Sequence, residues 1–142
     1  MDDTPADRLK TLHTQAIDSR SGYREALREA EGQGLTGVFE DMIALHTLNA
    51  EELSAALTRL GEVADREGSF MSLVHRTIMD IRGLFGGLGA SVLPGLIDGE
   101  TRNITGYDEA LAAPLTDDAR RMLTLQRSRL AAAVTGMRVQ AH

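Results

Sequence analysis

Apolar residues recur at three- and four-residue spacing along most of this chain, and no stretch alternates in the manner of a strand. From Thr4 to about Glu31 the stripe is Leu9, Leu12, Ala16, Tyr23, Leu27 and Ala30. Thr4 is placed to cap this helix, with Pro5 at its first position and Asp7 near its positive end. "EGQGL" supplies a glycine stop and a short connection, so the next helix should return antiparallel. It reads from Leu35 to about Asp65, with Leu35, Val38, Phe39, Met42, Leu53, Ala56, Leu57 and Leu60 on one face. His46 and Asn49 interrupt that face at its middle.

Ser69 is a cap for a shorter third helix, Phe70 to about Leu84, whose main face carries Phe70, Leu73, Val74, Ile78, Ile81 and Phe85. Met71, His75 and Met79 give it a second stripe. Beyond a glycine-rich turn, Ser91 caps a fourth helix reaching about Ala113, with Pro94 in the first turn, where backbone donors are unpaired anyway. Its stripe is Leu96, Ile97, Glu100, Ile104, Tyr107 and Leu111. Thr116 caps the last helix, to about Val139, with Ala119, Met122, Leu123, Gln126, Leu130, Ala133 and Met137 facing inward. Two hairpins of long helices joined by a long connection imply an all-α, ferritin-like up-down four-helix bundle with a short extra helix in the crossover. Residues 1–142 read as a single domain.

Composition narrows the function classes. A net charge of −6 offers no basic surface for phosphate backbones, so nucleic acid is not an expected partner. The longest charge-free stretch, Gly83 to Ile97, is broken by glycines and falls short of the roughly 20 apolar residues a membrane helix needs. The acidic start "MDDTPADRLK" is unlike a secretory signal, and the absence of cysteine excludes disulfides and thiolate metal sites. A cytoplasmic protein without membrane contacts is expected.

The unusual feature is Glu100, a carboxylate on an otherwise apolar stripe. In a bundle the mid-helix positions meet at one level, which should bring Arg20, His46, Asn49, Glu100, Asn103 and Gln126 together, with Ser19 beside Arg20. Ferritin-like proteins hold two metal ions at this level with four carboxylates and two Glu-x-x-His pairs. Here the pairs are replaced by "ETRN" and "HTLN", and Glu40, Glu51 and Glu52 fall to the flanks or solvent. Asn and Gln are poor ligands for first-row metals, so the expectation is a hydrogen-bonded layer in which His46 or Arg20 neutralises Glu100, with no cofactor. The alternative is iron or manganese held by His46, Glu100, Glu52 and His75; a small-ligand pocket at the layer is a third reading. No nucleophile motif or phosphate loop is present, so catalysis is not expected. His13 and His142 read as solvated.

The segments "DSRSGYREAL", "GSFMSLVHR" and "GETRNITGYDEAL" resemble a bacterial family of unknown function described as ferritin-like four-helix-bundle proteins. Asp18, Gly22, Tyr23, Gly68, Ser69, His75, Arg76, Gly99, Glu100, Tyr107, Ala110 and Leu111 carry the likeness. The family tends to show Arg at the position of His46, Glu at that of Ile97 and Asp at that of Thr101, so acidic groups around Glu100 are fewer here. The resemblance implies a fold and, by analogy, a stress-associated structural or interaction module. Homo-oligomerisation is expected through the third helix and glycine turn, whose apolar surface exceeds what one bundle needs.

Overall fold

The computed structural model describes residues 4–29, 36–62 and 93–141. All are helix, cap or short turn: α1 (Pro5–Glu29), α2 (Thr36–Arg59), α3 (Leu93–Leu111) and α4 (Asp117–Ala141). The expected helix at 70–84, with His75 and the surface expected to mediate self-association, lies outside the described residues, as does His142.

Capping contacts explain four of the helix ends. Thr4 Oγ1 accepts from the Asp7 amide at 3.1 Å, and the Asp7 carboxylate accepts from the Thr4 amide at 3.2 Å, a reciprocal pairing that satisfies two orphan donors. Thr116 caps α4 through the Ala119 amide at 3.1 Å. α2 ends six residues before the expected boundary near Asp65. Gly61 adopts φ 78°, and the amides of Gly61 and Glu62 close back on Thr58 and Leu57. This glycine-terminated turn frees the chain from the helix, so Leu60, expected on the apolar face, is instead half exposed.

The helices form a four-cornered bundle. α1 packs beside α2 and α3, and α4 beside α2 and α3, leaving α2 and α3 on one diagonal. Side-chain pairs fix the directions. Tyr23 meets Phe39 near one end of the α1–α2 hairpin while Lys10 meets Glu62 at the other. Between α1 and α3, Tyr23 meets Glu100 and Ser19 meets Asn103, and the Gln15 carboxamide occupies the space left by the missing side chain of Gly106. Arg129 meets Glu52, and Met137 lies beside Met42, between α4 and α2. Every adjacent pair is therefore antiparallel, which makes diagonal α2 and α3 parallel. Glu62, after α2, and Leu93, at the start of α3, therefore lie at opposite ends of the bundle.

The core is apolar, and mostly aliphatic, above and below mid-height. Leu9, Leu12, Phe39, Leu53, Leu57, Leu93, Leu123 and Leu130 are essentially sealed from solvent, each worth roughly 1.5–3 kcal/mol of burial. At the α3–α4 turn the Arg120 guanidinium reaches back to the carbonyls of Leu111 and Ala113 at 2.8 and 3.1 Å, capping the end of α3, where no glycine is available.

Candidate functional site: a buried polar layer

Between these aliphatic tiers the bundle buries His46, Asn49, Glu100 and Gln126, each 2% exposed or less. They belong to two adjoining hydrogen-bonded groups that together draw on all four helices.

The first is centred on Glu100. Its Oε2 accepts from the Tyr23 hydroxyl at 2.7 Å and from His46 Nε2 at 2.9 Å, and its Oε1 accepts from Asn103 Nδ2 at 3.0 Å. A carboxylate can only accept, so His46 carries its proton on Nε2 here. Asn103 Nδ2 also donates to Ser19 Oγ at 3.1 Å. Burial opposes the charge on Glu100, but His46, Asn103 and Tyr23 outweigh it and hold the carboxyl below its ordinary range. The same contact has the reverse effect on Tyr23: burial and the adjacent carboxylate push its phenol well above the usual value. The Tyr23 ring also stacks on the imidazole, with centroids 5.9 Å apart and planes 18° from parallel.

The second group runs from α3 through α4 to α2. Tyr107 donates its hydroxyl to Gln126 Oε1 at 2.7 Å. Gln126 Nε2 donates to Glu52 Oε1 at 3.0 Å and to the Asn49 carbonyl at 3.3 Å. Glu52 is closed by the Arg129 guanidinium in a two-pronged pair at 2.7 and 3.1 Å, and Arg129 donates once more to Asn49 Oδ1 at 2.9 Å. Arg129 is the leading cause of a lowered Glu52 pKa. Asn49 Nδ2 is buried without an acceptor.

Several residues lie where the sequence pattern did not put them. Arg20, expected in the layer, turns to the outer α1–α2 groove, which it lines with His13, Ile17, Ala50, Glu51 and Ser54. The helical position reaching Glu100 from α1 is three residues on, at Tyr23. His13, expected in solvent, is buried at 3% because it faces the α1–α2 seam beside Ile17. Glu52, expected at the flank or in solvent, is partly buried on the α4 side of α2. Glu40 and Glu51 are exposed, as the periodicity indicates. Tyr23, Tyr107 and Arg129 were not expected to act in the layer. The signal for the tyrosines is their place on the same stripes, since a buried phenol normally finds a hydrogen-bond partner.

As a metal site this donor set is poor. Both Glu100 oxygens and His46 Nε2 are committed to protein partners, Glu52 is occupied by a cation, and Asn49, Asn103 and Gln126 are weak ligands. Among the described residues no three His, Asp or Glu side chains cluster as ligands. Nor is any helix there long and apolar enough to cross a membrane.

No curated protein and no solved structure matches the chain. Residues 4–113 match a domain of unknown function, DUF2383. That span holds Tyr23, His46, Asn49, Glu52, Glu100, Asn103 and Tyr107, whereas Gln126 and Arg129 follow it on α4. On this match, over three quarters of its length and including the whole Glu100 group, the chain belongs to the DUF2383 family.

Proposed function

We propose that this protein is a ferritin-like bundle in which protein groups fill the level used elsewhere for a di-metal centre, and that it works as a non-catalytic structural or interaction module. What supports the reading is the saturation of Glu100: three protein donors on two oxygens, in a pocket sealed from water. Hydrogen bonds hold this carboxylate ionised and below its ordinary pKa range, which makes it a weak base, and both of its oxygens are engaged by protein donors. The Arg129 guanidinium supplies a positive charge within the layer, which disfavours a divalent cation next to it. The parallel diagonal of α2 and α3, with its long connection, supports the ferritin-like topology.

A buried polar layer of this kind fixes register. Sliding any helix by one turn would leave Glu100 or Glu52 facing aliphatic side chains, at a cost far above that of a displaced leucine. A cytoplasmic location, homo-oligomerisation through residues 70–92 and a stress-associated role belong to the same reading, by composition and family analogy.

Elemental analysis of the protein purified without chelator tests it. Metal below one tenth of an equivalent is the expected result. Stoichiometric iron or manganese, lost in Glu100→Ala while helicity is retained, would establish the rival metal-binding bundle.

A further inference from the structure

On its outer side the α1–α2 seam opens into a groove of about 420 Å³, inside the roughly 300–1,000 Å³ range of small-molecule sites. The sequence explains the opening. His13, Ile17 and Arg20 follow one another at four- and three-residue spacing along α1, and the facing wall of α2 is built from the short side chains of Ala50, Ser54 and Ala55, which leave the seam unfilled. Ile17 and Ala50 belong with Ala16 to a small apolar cluster separate from the main core, so the floor of the groove is apolar.

Arg20 is the group in this groove that lacks a partner. Arg127 and Arg129, also partly buried, are closed by the carboxylates of Asp108 and Glu52. Arg20 Nε is shielded from solvent with no acceptor in reach, and no carboxylate among the described residues forms an ion pair with the guanidinium. Burial and then the neighbouring Arg24 lower its pKa, and Glu51 offsets them only through its charge, without a hydrogen bond. A cation drawn out of water with no counter-ion is a costly arrangement, and an incoming anion relieves it.

We propose that the α1–α2 groove binds a small monocarboxylate, its carboxylate on the Arg20 guanidinium and its short hydrocarbon part on Ile17, Ala50 and Ala55. Arg20 offers the planar fork that matches two carboxylate oxygens. Ser54 supplies a hydroxyl on the opposite wall. Glu51, exposed on that wall, sets the charge: Arg20 accommodates one negative charge, and Glu51 works against a second, which selects a monoanion over phosphate.

Two-dimensional amide NMR of the full chain tests this, with butyrate as the probe, butyramide as its uncharged counterpart and inorganic phosphate as the competing anion. Butyrate should move the amide signals of Ile17, Ala50 and Ser54 in a saturable way, with a dissociation constant on the order of 1 mM. Butyramide should leave them in place, and phosphate should bind at least about tenfold more weakly. Arg20→Gln should weaken butyrate binding by about tenfold or more. Ala55→Leu, at an exposed helical position, fills the groove without touching the guanidinium and should do the same, which keeps the test alive if the Arg20 variant loses helicity. Saturable shifts that survive either substitution in a helical protein, equal shifts with butyramide, or phosphate binding as tight as butyrate would each overturn the proposal. So would the absence of any shift at about ten times the expected constant. The groove lies outside the polar layer and its occupancy does not depend on metal content, so this site and the structural reading of the layer can fail separately.

Discussion

The Tyr23 hydroxyl on α1 and the Glu100 carboxylate on α3 meet across the bundle at 2.7 Å, in a setting where Tyr23 is 3% and Glu100 2% exposed. Removing the acid leaves a phenol, an imidazole and an amide without their shared acceptor. Glu100→Ala should therefore lower unfolding stability by roughly 2 to 4 kcal/mol. Denaturant titration measures this, and an unchanged midpoint would contradict burial of the group.

The two tyrosines should not be equivalent. Tyr23 donates to an ionised acceptor and Tyr107 to a neutral amide, and bonds to charge are worth about twice as much. Tyr23→Phe should cost about 1.5 to 3 kcal/mol and Tyr107→Phe about 1. Equal losses would mean that the Glu100 carboxyl is protonated in the fold.

Acid should weaken the fold through Glu100. Its folded pKa is depressed below the ordinary 4.5, so its contribution is fully present above that value and is lost as pH falls through the folded one. The stability gap between the natural protein and Glu100→Gln should thus be widest near neutrality and shrink below about pH 4.5. A gap independent of pH down to pH 3 would refute this.

Asp18 acts in the opposite sense. With its pKa raised from 3.8 to about 6 by burial, the folded state is penalised for the charge above pH 6 and not below 3.8. Asp18→Asn should stabilise the protein at pH 7.5, by an amount that declines from pH 6 towards pH 4. Loss of stability at pH 7.5 would show that the carboxylate has a partner.

For the partly buried Glu52–Arg129 pair, a double-mutant cycle to alanine should return a coupling of about 1 kcal/mol, above the usual value for exposed pairs. The exposed Asp118–Arg121 pair on the first turns of α4 is the internal comparison and should give a few tenths at most. Similar couplings for both would remove Glu52 from the layer.

The helices and most caps can be read from the sequence because they are local: a three-and-four stripe and a threonine at its head need no knowledge of neighbours. His46, Asn49, Glu100 and Gln126 stand out because each breaks an apolar stripe. Tyr23 and Tyr107 do not stand out, since a tyrosine fits the stripe while its hydroxyl works elsewhere. Glu52 and Arg129 lie at the flanks of their core faces, three residues on from Asn49 and Gln126, where periodicity cannot distinguish a flank facing water from one facing a neighbouring helix. Arg20 was misplaced for the same reason, being one turn from the position that meets Glu100. The end of α2 was legible in Leu60-Gly61, but the surrounding polar residues still suited a helix and masked the stop.

The family match stops at residue 113, yet Gln126 and Arg129 reach into the layer from beyond it. A chain cut at that boundary would keep the Glu100 group and orphan Tyr107, Glu52 and Asn49 together. Gln126 and Arg129 therefore tie the final helix to the matched span, and a transplant or fusion meant to keep both groups of the layer has to carry that helix along.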